Sequence, residues 1–280
     1  MAFPPAHGAR VPWEAVPEST RGAIEAGLGA RVLEAITQPG GFSPGCAARL
    51  RLDDRRRVFV KAVGSEPNPD SPDLHRSEAL ITAALPPETP APRLLFAHDD
   101  GDWVALVFEN VDGEGPELPW RRDELDRVLG ALTELVAALT PAPIEVETFA
   151  ERFGEMLRGW RRLAAEGAVE LDPWAAGRLD ALAELEAKWE QAGAGETLLH
   201  ADVRADNVLL TPDRVIFVDW PHATLGAPWI DLVAFLPSVA MQGGPKPWEV
   251  FDEHPLAREA AREDVDAVLA ALQRHRTLLA

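Results

Sequence analysis

A chain of 280 residues is long enough for one large domain or two modest ones, each with a proper core. Its 46% apolar and 26% charged residues are those of an ordinary globular protein, and no run approaches the roughly 18 apolar residues of a membrane span. The 27 basic and 46 acidic residues leave a net charge of -19, which repels nucleic acid and anionic membrane and attracts cations, while the lone Cys46 excludes an internal disulfide and a cysteine-based zinc cluster.

Met1 to Arg10 holds no basic segment followed by an apolar run, so the sequence predicts no secretion signal, a cytoplasmic location and no obligate protein partner. From about 30 to 111 the texture is that of strands: Arg31 to Thr37, Ala47 to Leu52, Val58 to Val63, Arg93 to His98 and Trp103 to Phe108, separated by turn residues. One helix interrupts them at Leu74 to Leu85, with Asp73 as its cap and Pro86 as its stop. After about 112 Leu, Ala and Trp recur at three- and four-residue spacing, predicting helices over Arg122 to Leu139, Thr148 to Glu166 and Pro173 to Gln191. Two short strands, Val208 to Leu210 and Val215 to Val218, flank the turn Thr211-Pro212-Asp213. Helices follow at about Ile230 to Met241 and Ala257 to Leu279. The pattern therefore predicts an α+β chain: a strand-rich lobe over 1–108, a hinge at 109–113 and a mostly helical lobe over 114–280.

The chemistry concentrates in LLHADVRADNVLL, residues 198 to 210, followed by VIFVDW, residues 215 to 220. His200, Asp202 and Asn207 fit HxDxxxxN, the catalytic-loop spacing of kinases, and Asp219 ends a strand as a kinase's metal-binding Asp does. Composition alone yields only about 0.005 such triplets by chance. Phosphoryl transfer to an alcohol needs a group that takes or orients the hydroxyl proton, which suits Asp202. It also needs magnesium, a hard ion that prefers oxygen ligands, which Asn207 and Asp219 supply together with phosphates. His200 is expected to brace the loop.

Lys61, in RRVFVKAV, lies on a strand between apolar neighbours, where a charge is costly unless paired. Glu78 in the following helix is its natural partner, with Glu88, among prolines, a poor second, and Lys61 so held would grip a nucleotide's inner phosphates. Gly40, Gly41 and Gly45 in QPGGFSPGC offer backbone amides to phosphates, and Ser43 a hydroxyl, although the stretch lacks GxGxxG and an ordinary hairpin accounts for it as well. Glu109 to Val111 follow the last strand of the first lobe, where backbone groups can bond adenine.

On these residues, and above all on HADVRADN and VDWPHATLGAPWIDL, the chain resembles the aminoglycoside phosphotransferases, choline kinases and related small-molecule kinases with a protein-kinase-like fold. The resemblance runs from about 30 to 240. It implies ATP and Mg2+ as cofactors, Asp202 as base, Asn207 and Asp219 as magnesium ligands, Lys61 with Glu78 as the phosphate-orienting pair, and Asp231 as a buried brace of the catalytic loop. Arg204 sits where protein kinases place a Lys near the transferred phosphate. Ala201 stands where many members carry Gly, and Ala227 where they often carry Asp. The short interval between Asp219 and Asp231 leaves no activation segment and argues against a protein substrate. The implied acceptor is a small hydroxylated molecule, with a cationic one such as an aminoglycoside favoured by the charge; choline-like amino alcohols and a nucleotide-binding pseudokinase are the alternatives.

Overall fold

A computed structural model of the chain describes residues 10–38, 44–66, 68–166 and 171–278. In chain order it contains α1 (Glu18–Leu28), β1 (Val32–Thr37), β2 (Cys46–Leu52), β3 (Arg57–Gly64), α2 (Ser71–Ala84), β4 (Leu94–Asp99), β5 (Trp103–Glu109), α3 (Arg122–Ala138), α4 (Phe149–Phe153), α5 (Gly159–Glu166), α6 (Pro173–Ala176), α7 (Leu179–Glu186), α8 (Trp189–Ala192), β6 (Thr197–Leu199), β7 (Val208–Leu210), β8 (Val215–Phe217), β9 (Thr224–Gly226), α9 (Ile230–Met241), α10 (Pro247–Phe251) and α11 (Arg262–Leu278). No helix among the described residues is long and apolar enough to cross a membrane. The chain forms two compact units, one of residues 1–116 with 205–222 and one of 117–204 with 223–280.

The first unit is built on an antiparallel sheet in the order β1-β2-β3-β5-β4. Its inner strands carry small and β-branched residues, and Ala48, Leu50, Val58, Val60, Ala62, Ala105 and Val107 bury one face of the pleat. Trp13, Val16 and Ile24, from α1 and the turn before it, join that core. The sequence pattern predicts no element there. Gly29, at φ 65, ends α1 in the left-handed conformation that suits glycine. The other face of the sheet receives α2, where Val104, Leu106 and Phe108 pack with Ala79. α2 begins three residues earlier than expected because Pro72 is accommodated in its first turn, and it ends where Leu85 turns extended ahead of Pro86. The β7–β8 hairpin belongs to this unit as well, and β7 also bridges to Glu114.

The second unit is helical. In α3, Leu125, Val128, Leu129, Leu132 and Leu135 fall on one buried stripe. The single helix expected over 148–166 is two: Thr148 and Glu151 form a reciprocal capping box that starts α4, and α5 restarts at Gly159. The new start is fixed from a distance, since the buried Glu186 accepts from the amides of Trp160 and Arg161, both at 2.9 Å. The expected helix over 173–191 is likewise three pieces, the first capped by Asp172 and closed at Gly177. Near the C-terminus, the helix expected from Ala257 is a 3-10 turn over Pro255–Glu259 followed by α11. The short strands β6 and β9 pair with each other and bring the start of the HxDxxxxN loop alongside the segment that leads to Asp231.

Candidate active site

Register places the charged residues of the sheet unit. Val58 pairs with Glu109 at one end of β3, and Ala62 pairs with Cys46 toward the other. Lys61 therefore lies about 10 Å along the strand from the Glu109 end, at roughly 3.3 Å per residue. Between these ends is a cavity of about 310 Å3, the lower end of the size usual for small-molecule sites. Glu109 and Val111 line one end and Lys61, Glu78, Asn207 and Asp219 the other, with Phe59 and Phe108 among the apolar walls. The Glu109 side chain itself turns to Arg93 at 2.9 Å.

Lys61 Nζ donates to both oxygens of Glu78, at 2.7 and 2.9 Å, and to Oδ1 of Asp219 at 2.6 Å. Glu78 is buried and also accepts from the amide of Trp220 at 3.2 Å, so the helix α2, the strand β3 and the segment after β8 are tied at one point. Burial alone would lower the Lys61 pKa, but the charges of Asp219 and Glu78 outweigh it and hold the ammonium protonated. Burial pushes Glu78 up, with Lys61 opposing and Asp219 reinforcing the rise. A second tie, Ser77 Oγ to the Pro221 carbonyl at 3.1 Å, fastens the same helix to the same segment.

Asn207 and Asp219 both line the cavity, and the amide of Val218, the residue before Asp219, donates to the Asn207 carbonyl at 2.9 Å. Asp219 takes φ 71, an uncommon conformation for a non-glycine residue and one found at functional sites. Their donors are a carboxylate and an amide oxygen, both hard. That set fits a magnesium ion completed by phosphate and water better than it fits a softer metal.

Asp202 and Arg204 belong to the helical unit, immediately before the chain returns to the sheet unit at Ala205. The two side chains approach at 3.8 Å, and both are partly exposed. The loop before them is braced twice. Asp231, buried at the start of α9, accepts from the amides of His200 and Ala201, both at 2.8 Å. The buried His200 accepts at Nδ1 from the Asp202 amide at 3.3 Å. Burial raises the Asp231 pKa to about 6 against the two amides, with the charge of Asp202 adding to the rise. Ala201, one of those two donors, takes φ 61.

Gly40, Gly41 and Ser43 lie outside the described residues; Gly45 does not. At φ 109, with the Ala62 carbonyl only 2.5 Å from where a Cβ would stand, position 45 admits glycine alone. Sequence reasoning missed Arg10, Arg49 and His75, all of which line the cavity. A basic residue on the cavity face of β2 was readable from alternation for Arg49. Nothing near Arg10 signals its destination.

The same architecture occurs in solved phosphotransferases. A thermostable mutant of aminoglycoside phosphotransferase APH(4)-Ia, in ternary complex with AMP-PNP and hygromycin B, matches with TM-score 0.60 and 14% identity, covering 94% of this chain and 92% of that one. Aminoglycoside-3'-phosphotransferase of type VIII matches with TM-score 0.56 and 23% identity over 86% and 93%. Macrolide 2'-phosphotransferase type I matches with TM-score 0.57 and 15% identity over 96% and 91%. No curated protein sequence is significantly similar to the chain. These likenesses define the class as the protein-kinase-like α+β fold. The model of the phosphotransferase enzyme family matches residues 40–268, so the chain belongs to that family and is a small-molecule phosphotransferase.

Proposed function

We propose that the protein transfers the γ-phosphate of ATP to a hydroxyl of a small cationic molecule, an aminoglycoside or related antibiotic, in the cytoplasm. The observation that carries this reading is the ion-paired Lys61–Glu78–Asp219 group at one end of a cavity whose other end is the strand terminus at Glu109. Adenine would use backbone groups of Glu109 and Val111, and Lys61 would hold the inner phosphates. Magnesium, taken by Asn207 and Asp219, would neutralise charge on the phosphates. Asp202 would accept the proton of the acceptor hydroxyl as its oxygen bonds to the γ-phosphorus and the bond to the ADP oxygen breaks. Arg204 would stabilise charge on the transferred group. The net charge of -19 supports a cationic acceptor.

The test is ADP release from Mg-ATP across a panel of aminoglycosides, other basic antibiotics, choline and amino alcohols. Stimulation by the aminoglycosides is the expected result, and Asp202→Ala should reduce it about 10³-fold while nucleotide still binds. Stimulation by choline alone would move the acceptor class, and a flat panel with nucleotide bound would sink the transfer reading.

A further inference from the structure

Resting on the nucleotide reading of this cavity, a second cation at its phosphate end follows from the way the N-terminal segment is anchored. Arg10 forms a parallel bridge with Gly45, and the next residue, Val11, donates its amide to the Gly45 carbonyl at 3.0 Å. Gly45 immediately precedes Cys46, the partner of Ala62, so Arg10 is fixed beside the end of β3 that carries Lys61 and away from the Glu109 end. The segment behind it is no loose tail. Trp13 and Val16 are buried in the core of the sheet, which gives the backbone at Arg10 a rigid support.

Charge balance gives this placement its purpose. Lys61 is shared between two carboxylates, and that trio carries a net charge of -1 before any phosphate arrives. Arg10 lines the same cavity, half-buried and within the field of Asp219, and makes the set two cations and two carboxylates. Its charge also reaches His75, whose imidazole is held neutral with a pKa near 4, by burial first and by Lys61 and Arg10 after it. We infer that Arg10 is a second phosphate-binding cation of the nucleotide site, set beside the charge of Asp219 and placed to take the phosphate oxygens of a nucleoside triphosphate. A guanidinium suits this role, because its planar fork offers several donors to either a carboxylate or a phosphate.

Titration calorimetry of the full chain with Mg-ATP and with adenosine, on the native protein, Arg10→Ala, Arg10→Lys and Lys61→Ala, tests it. Arg10→Ala should weaken Mg-ATP about tenfold or more and leave adenosine within about twofold, because a hydrogen bond to a charged group is involved only with the former. Arg10→Lys should recover part of the loss. In turnover the effect should fall on KM for ATP more than on kcat. Equal losses for ATP and adenosine would make Arg10 a packing residue, and an unchanged ATP affinity would remove it from the site; either overturns the inference. The native and Lys61→Ala arms separate this from the parent reading: a native chain that binds no ATP refutes both, whereas native binding lost in Lys61→Ala and kept in Arg10→Ala refutes only the role of Arg10.

Discussion

The two units handle buried carboxylates differently. In the sheet unit Glu78 is held by a cation, with Lys61 on both of its oxygens and a single amide beside them. In the helical unit Asp231 and Glu186 each accept from a pair of consecutive backbone amides, at 2.8 Å for the first and 2.9 Å for the second, and Glu186 also takes the Arg161 guanidinium at 3.3 Å. The first device suits a binding site, because an ammonium shared between partners can be re-shared with a ligand's phosphates. The second suits scaffolding, because two amides converging on one carboxylate fix a turn of backbone. Register along β3 sets positions in one unit, and long-range capping sets them in the other.

The largest expected effect breaks the cation-held device. Lys61→Ala should lower kcat about 10²–10³-fold, the usual scale for removing one positioned charge-stabilising donor. It should also destabilise the fold by about 3 kcal/mol at pH 7, since it strands a buried carboxylate. The sign of its pH dependence is diagnostic. Without the ammonium, burial drives the Glu78 pKa further above its ordinary 4.5, so the folded state binds the proton more tightly than the unfolded state does. Stability of the variant should then fall as pH rises from about 4.5 through the raised value. Denaturant melts at pH 5 and pH 8 read this directly, and a variant equally stable at both would remove the contrast between the units.

Next is the amide-held device at the loop. Asp231→Asn leaves one acceptor oxygen for two amides and turns an NH2 group toward the other donor, which should cost about 2 kcal/mol and slow kcat about tenfold with little change in KM for ATP. The native group titrates near pH 6, above its ordinary 3.8. Because the folded pKa is the higher, this residue's contribution to stability declines as pH rises between those values, by about 3 kcal/mol in all. The ionised form is nevertheless the one that accepts both amides. A rise of kcat through about pH 6, absent from Asp231→Asn, is therefore expected in a pH–rate profile; an identical profile in the variant would mean that the brace does not govern the loop.

A smaller effect belongs to Glu186→Gln. Loss of one strong acceptor at the start of α5 should cost about 1–2 kcal/mol in denaturant melts while leaving Mg-ATP affinity unchanged, because the site residues of the sheet unit do not depend on that cap. A change in ATP affinity would show that capping in the helical unit also sets the nucleotide site.

The same division governs what the sequence made readable. The five strands could be placed because apolar and β-branched runs are bounded by turn residues, and Lys61 stood out because a charge flanked by Val60 and Ala62 needs a partner. Glu78 followed as the carboxylate inside the expected helix, ahead of Glu88 among its prolines. The breaks at Gly154 and after Glu186 were not readable, since the acceptor that starts α5 lies 26 residues away and local periodicity runs on through the gap. β6 and β9, three residues each, are too short to alternate. α1 was missed because its small and charged residues leave only Ile24 and Thr20 buried. Arg10 reaches the cavity through a bridge to Gly45, a tertiary fact with no local signature.

The smallest effect concerns Ala201, whose departure from glycine the sequence showed and whose cost the backbone reveals. At φ 61 an alanine Cβ crowds its own carbonyl, a penalty of about 1–2 kcal/mol that glycine avoids. Glycine also adds freedom to the unfolded chain, worth about 0.5–1 kcal/mol in the opposite direction. The strain is the larger quantity, so Ala201→Gly should stabilise the protein by about 0.5–1 kcal/mol, read as a raised denaturation midpoint at unchanged slope. Since both amides on Asp231 persist, kcat should stay within about twofold. A destabilised Ala201→Gly would mean that the two hydrogen bonds from His200 and Ala201 hold the loop without strain, and that alanine at this position serves to keep the unbound loop from sampling other conformations.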